Sequence, residues 1–192
     1  MQIPVLETPV LETPVLETPV LETPRLVLRA PRAEDFPSWR AHMADAEVMR
    51  LLGGPQPPLS AWRNMTSVIG AWSMMGFSMF SVIEKASGQW IGRLGPWRPE
   101  GWPGPEVGWA FSRHAWGKGY ATEGALRAMA FAFEDLGWTE VIHSIDPANG
   151  PSIALAHRLG SKRLGLAHIP EPNAHVVDMY GQTVQEWRAR HP

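Results

Sequence analysis

Residues 116–124, WGKGYATEG, put two glycines around a lysine directly before a stretch that reads as helix. Gly117 and Gly119 permit positive φ and lack a Cβ, so another molecule can come up against the backbone. The free amides of a helix N-terminus and the positive end of its dipole favour an anion, typically a phosphate. An ordinary strand-to-helix turn with a solvated Lys118 accounts for the same residues. A Walker loop needs Gly-Lys-Ser/Thr, whereas Lys118 is followed by Gly119, and G-x-G-x-x-G is not met either. The chain has no cysteine, which excludes disulfides, thiolate metal sites and a covalent cysteine intermediate. Its histidines show no ligand spacing, so no metal is expected.

The elements that must position this turn read as a mixed α/β (α+β) domain. RLVLR from Arg25 alternates like a first strand, and Ala33 to Met43 reads as a helix after Pro31. Ser60 is a candidate N-cap for a second helix through Met74. A hairpin follows, with strands over 77–84 and 90–97 around Ala86-Ser87-Gly88, then a Pro/Gly-rich loop. Glu106 to Ser112 is the next strand, with Val107, Trp109 and Phe111 on one face. After the glycine turn come a helix over Thr122–Leu136, a strand over Glu140–Ile145, a short helix over Ser152–Leu159, and late strands near 161–167 and 176–181.

At 192 residues with 44% hydrophobic content, one domain with its own core is the default. A formal charge of −2 gives no electrostatic footprint for nucleic acid and no polybasic membrane anchor. No apolar run approaches the roughly 20 residues of a membrane span, and no signal peptide is visible, so a cytoplasmic protein is expected. Val-Leu-Glu-Thr-Pro recurs without change from Val5 to Pro24. A proline at every fifth position removes backbone donors, and an odd period builds no apolar face. Residues 1–21 therefore read as a low-complexity arm and 22–192 as the folded domain. The arm is either a repeat expansion without catalytic role or a segment that pairs with a neighbouring chain's sheet edge in a homodimer.

EVGWAFSRHAWGKGYATEG followed by IDPANGPSIALAHRLGSKRLG resembles the GNAT superfamily of acetyl-CoA-dependent N-acetyltransferases, and within it the ribosomal-protein N-terminal acetyltransferases. The likeness runs from Glu22 to EWRAR near the C-terminus. It implies a largely antiparallel sheet of about seven strands flanked by helices, with a V-shaped splay between the fourth and fifth. The superfamily's signature positions are held here by Trp116, Gly119 and Ala121. By this resemblance the amides of Gly117, Lys118, Gly119, Tyr120, Ala121 and Thr122 would cradle the coenzyme A pyrophosphate. Phe111 would offer backbone groups to the pantetheine arm, and Asn149 would bond it from the far side. Ser152 would meet the leaving thiolate or serve as a helix N-cap. Many GNAT enzymes place a tyrosine acid further along this helix, where Ala156 stands here. Glu123 would face away from the phosphates.

Without cysteine, the simplest mechanism is a ternary complex in which a neutral primary amine, a protein N-terminus or a small molecule, attacks the thioester. An α-amine of pKa near 8 is about a tenth neutral at pH 7, whereas a lysine-like amine near 10.4 is about 0.04% neutral. The base matters accordingly. Glu106 is the first choice for a water-mediated base and His143 the second. Trp72, Trp97, Trp102 and Trp109 fall near the elements that would line the acceptor cleft. Two other readings compete: a catalytically idle acyl-CoA-binding module, suggested by the missing tyrosine, and a repeat-mediated assembly protein.

Overall fold

A computed structural model of the chain describes residues 18–170 and 175–191. Most of the repeat, Met1 to Glu17, lies outside them. Its last unit enters the fold: strand β1 (Leu21–Glu22) pairs antiparallel with β2 (Leu26–Arg29), Leu21 opposite Leu28, and Leu21 is buried. Pro24 falls in the turn between them, where a missing amide leaves no ladder bond unmade.

Helices α1 (Phe36–Ala44), α2 (Ala46–Met49) and α3 (Pro58–Met75) follow. The second long helix is capped three residues before the expected Ser60, because Pro57 is the N-cap and Pro58 opens the first turn, where proline's fixed φ fits and its absent N–H is not needed. Gly76 ends α3 in the left-handed conformation, so Phe77 to Met79 lead the chain away and β3 (Phe80–Glu84) begins three residues later than its pattern suggested. The other expected strands lie close to their predicted bounds: β4 (Trp90–Trp97), β5 (Glu106–Phe111), β6 (Glu140–Ile145), β7 (Lys162–Ile169) and β8 (His175–Thr183). Helix α4 (Tyr120–Ala130) runs into a π-helical turn at Phe131–Asp135, α5 covers Gly150–Leu159, and α6 (Val184–Arg190) closes the domain.

The strands form one eight-stranded sheet in the order β1-β2-β3-β4-β5-β6-β8-β7, antiparallel everywhere except between β5 and β6. That parallel pair holds at one register position, Glu106 opposite Ile142, and then splays. The gap is the expected V; β1 adds a strand and shifts it to the fifth and sixth. Leu26, Phe80, Leu94, Val107 and Phe111 pack with α4 on one face. Trp39, Met49, Met65 and Trp90 pack with α1 and α3 on the other. Both faces of the central strands are thus covered.

Candidate active site

The splay leaves one edge of β5 unpaired. In an antiparallel ladder bonded and non-bonded pairs alternate. The Ser112 amide donates to the Ile91 carbonyl, so Phe111, Trp109 and Val107 turn their polar groups away from β4 and toward the gap. Pro96, which has no N–H, stands opposite Val107, as that alternation requires. Two of the freed carbonyls are taken by side chains. The Trp116 indole donates to the Phe111 carbonyl at 2.7 Å, and His143 Nδ1 donates to the Val107 carbonyl at 2.7 Å. The groups left for a ligand are therefore both polar groups of Trp109 and the amide of Phe111; the Phe111 carbonyl, expected to be free, is capped.

A cavity of about 250 Å³ opens at the splay and brings together Glu106, His143, Asn149 and Ser152. Glu106 starts β5 and is buried, its carboxylate accepting from the Trp102 indole at 2.6 Å. Burial pushes its carboxyl above the ordinary range, and contacts from Trp102 and Ser144 work against that rise. Gly108 keeps the floor beside it open: a Cβ there would come within 3.1 Å of Glu106 Oε1 and 3.0 Å of Met79 Cε.

His143 is fixed on both nitrogens. A carbonyl only accepts, so Nδ1 carries the proton, and Nε2 accepts from the Ser161 hydroxyl at 2.9 Å. Gln182 in turn donates to Ser161. Burial lowers the imidazole to about 4, so it is neutral at pH 7. This arrangement holds the splay open, because the His143 ring bonds where the next strand amide would have paired.

Asn149 rather than Ser152 caps α5, its side-chain oxygen accepting from the Ser152 amide at 3.2 Å. Ser152 Oγ accepts from the Trp109 indole at 3.2 Å. Ala156 is fully buried in one cluster with Ile145 and Tyr180, and position 156 itself carries no phenol. Of the four tryptophans expected at the cleft, Trp97, Trp102 and Trp109 line it. Trp72 does not: it is core, stacked edge-on against Phe80 at 4.9 Å.

Beyond the end of β5, Gly117 and Gly119 both take positive φ, 73° and 81°, and Gly119 is the N-cap of α4. No side chain caps this helix, nor α1 or α3, whereas α2, α5 and α6 each have a cap. Its first amides, from Tyr120 to Thr122, therefore lack intrahelical partners and point out of the turn. A Cβ at Gly117 would meet nothing within 4 Å. Side chains around the turn are engaged elsewhere. Tyr120 donates its hydroxyl to Glu84, and Thr122 accepts from Arg158. Glu123 faces away, as expected, held by Thr23 and Arg25. Arg25 also donates to the Lys118 carbonyl at 2.9 Å, which fixes the turn from behind. An uncapped helix N-terminus with an open glycine approach fits a pyrophosphate.

A wider cleft of about 750 Å³ lies beside α1, but none of the residues singled out above lines it, and its arginines are paired, Arg29 with Asp35 and Arg113 with Asp45. Two residues of the smaller cavity, Arg93 and Asn64, carried no signal in the sequence. Among the described residues no group of three or more His, Asp and Glu side chains could hold a metal, and no helix is long and apolar enough to cross a membrane.

Comparison with known proteins agrees with this fold. The family model described as an acetyltransferase (GNAT) domain matches residues 25–162. An uncharacterized N-acetyltransferase, p20 of Bacillus licheniformis, is 30% identical over 160 residues, 81% of this chain and 90% of that protein. The crystal structure of an acetyltransferase from Agrobacterium tumefaciens superposes with a TM-score of 0.76 at 30% identity, covering 86% of this chain and 95% of its own. A putative ribosomal-protein-serine acetyltransferase from Vibrio cholerae shares the fold, TM-score 0.70, over 87% of this chain and 99% of its own, at 19% identity. At that identity the likeness speaks for the fold and not for the ribosomal-protein branch.

Proposed function

This chain belongs to the GNAT family and is an N-acetyltransferase, and we propose that it moves an acetyl group from acetyl-CoA to a primary amine by direct attack within a ternary complex. Acetyltransferases of this fold use acetyl-CoA, whose thioester supplies the activated acetyl group. The amides from Gly117 to Thr122 would hold its pyrophosphate at the start of α4, and the free edge of Trp109 and Phe111 would take the pantetheine as an added strand. Asn149, with its oxygen committed to the cap, has its amide N–H groups to offer from the far side.

Glu106 receives the amine proton, through a water where the acceptor does not reach it. Burial brings its pKa closer to neutrality, where a base is most effective. His143 sets the width of the gap and stays neutral. The Ser152 hydroxyl accepts from Trp109, which leaves its own proton to offer to the departing sulfur. The acceptor is a protein N-terminus or a small amine; the ribosomal-protein resemblance makes Ala- and Ser-initiated peptides the first to try.

The observation that carries this reading is that β5, whose free edge faces the splay, starts at the buried carboxylate of Glu106 and leads from Phe111 toward the uncapped, glycine-opened N-terminus of α4. The test is free coenzyme A thiol release from acetyl-CoA with a panel of peptides and amines, with both substrates varied. Amine-dependent release with intersecting initial-rate lines is expected. Release without amine dependence, or parallel lines, would contradict it. Acetyl-CoA binding with no release across the panel would favour the idle module that the missing phenol at Ala156 suggests.

A further inference from the structure

The cavity that holds Glu106 also holds a cation that, among the described residues, has no ion-pair partner. Arg93 sits on β4, where the register against β3 shifts: Val82 pairs with Gly92 but Ile83 with Trp90, so Ile91 is an extra residue. Such a bulge re-aims the side chains after it. Arg93 consequently faces α1 and α3, its guanidinium 5.4 Å from the Trp39 ring and lining the same cavity as Glu106.

Its donors are mostly unused. Nη1 donates to Asn64 Oδ1 at 3.2 Å and approaches Met79 Sδ at 3.8 Å, while Nε is buried without a partner. Among the described residues no carboxylate lies within ion-pair distance. Arg29, by contrast, is paired with Asp35 through two bonds of 2.8 Å. Burial lowers the Arg93 guanidinium to about 10, so it is still charged at pH 7. An enclosed charge without a partner is costly, and a guanidinium fork matches a carboxylate in two parallel bonds.

Its position relative to the base is also defined. Arg93 stands opposite Ala110 and Glu106 opposite Trp97, four residues apart along the strands, roughly 13 Å between Cα levels. Both side chains reach inward over the open floor at Gly108 and Met79. We propose that the acceptor is an amine that also carries a carboxylate, and that Arg93 binds this carboxylate while the amine lies at Glu106. This rests on the acetyl-transfer reading and narrows its substrate class.

The test compares amino acids and dipeptides with their methyl esters as acceptors, by coenzyme A release, in wild type, Arg93→Gln and Arg93→Lys. Free acids should be preferred at least tenfold in kcat/KM, mainly through KM. Arg93→Gln should abolish that preference while acetyl-CoA affinity stays within twofold, and Arg93→Lys should restore part of it. Equal use of acids and esters by wild type, or an unchanged preference in Arg93→Gln, overturns the proposal, and the wild-type comparison needs no variant to fold. If no acceptor supports release, acetyl transfer to amines fails separately. Calorimetry with N-acetyl amino acids then decides the anion site: binding lost in Arg93→Gln supports it, and no binding to wild type overturns it.

Discussion

Gly119 and His143 show how differently single residues can be read. Gly119 was legible because glycine takes a φ of 81° at the head of a helix without strain, a conformation that residues with side chains rarely adopt. A Cβ there meets only Arg25 Nη2, at 3.4 Å, so the backbone strain of a side chain at positive φ is the cost to the fold that the structure shows. If pyrophosphate oxygens lie against that backbone, Gly119→Val should weaken acetyl-CoA at least tenfold in calorimetric titration of folded samples, since each charge-assisted amide bond is worth about 1.5 to 3 kcal/mol. Native affinity in a folded variant would count against the cradle. His143 could be singled out from its strand, but its hydrogen bonds to Val107 and Ser161 come from elements distant in sequence. Removing its ring leaves both partners unpaired, so His143→Ala should cost about 2 to 4 kcal/mol in urea unfolding. Loss of activity with full stability would instead make it a base. Arg93 was invisible for a related reason: an alternating strand assigns a lone arginine to solvent, and the bulge at Ile91 that reverses it has no marker in the sequence.

Among the elements, strands β4, β5 and β6 were read nearly to the residue, because alternation and flanking turn residues agree. The short ones escaped: two-residue β1 and four-residue α2 have too few positions to show a period. The helix α6 could have been found, since Thr183 and Glu186 form a capping box before a buried valine and tryptophan. Element contacts also bear on the cofactor. Arg25, at the entry to β2, ties α4's first turn to the sheet through Glu123 and the Lys118 carbonyl and lies over the Tyr120 ring at 4.6 Å. Arg25→Ala should therefore raise the acetyl-CoA dissociation constant severalfold without touching the ligand, while the melting temperature falls only slightly, because the arginine is half exposed. An unchanged dissociation constant would show that the turn holds its shape unaided.

For the molecule as a whole, the sheet and its splay bear on both stability and the proposed catalysis. Burial lowers His143 to about 4 and His42 to about 3 from 6.5, so the folded state binds fewer protons than the unfolded chain. The stability they contribute is complete above pH 6.5 and is lost as pH falls toward their folded values. Unfolding midpoints should drop between pH 6.5 and 4, with His143 alone accounting for about 3 kcal/mol when fully protonated. His143→Gln should flatten this dependence, and an identical slope would refute it. Glu106 acts in the opposite sense, since its raised pKa favours the protonated folded state and its ionisation costs stability as pH rises. That cost is what would make the ionised Glu106 a stronger base than an exposed carboxylate. The central claim, that this carboxylate is the base for acetyl transfer, is tested most directly by the pH profile of kcat/KM in wild type and Glu106→Gln, with acetyl-CoA affinity and melting temperature measured alongside. The wild type should show an acid limb above the ordinary carboxylate range. Glu106→Gln should lose that limb and about a hundredfold in rate, with acetyl-CoA affinity within twofold. A variant with the same limb and the same rate would contradict the account.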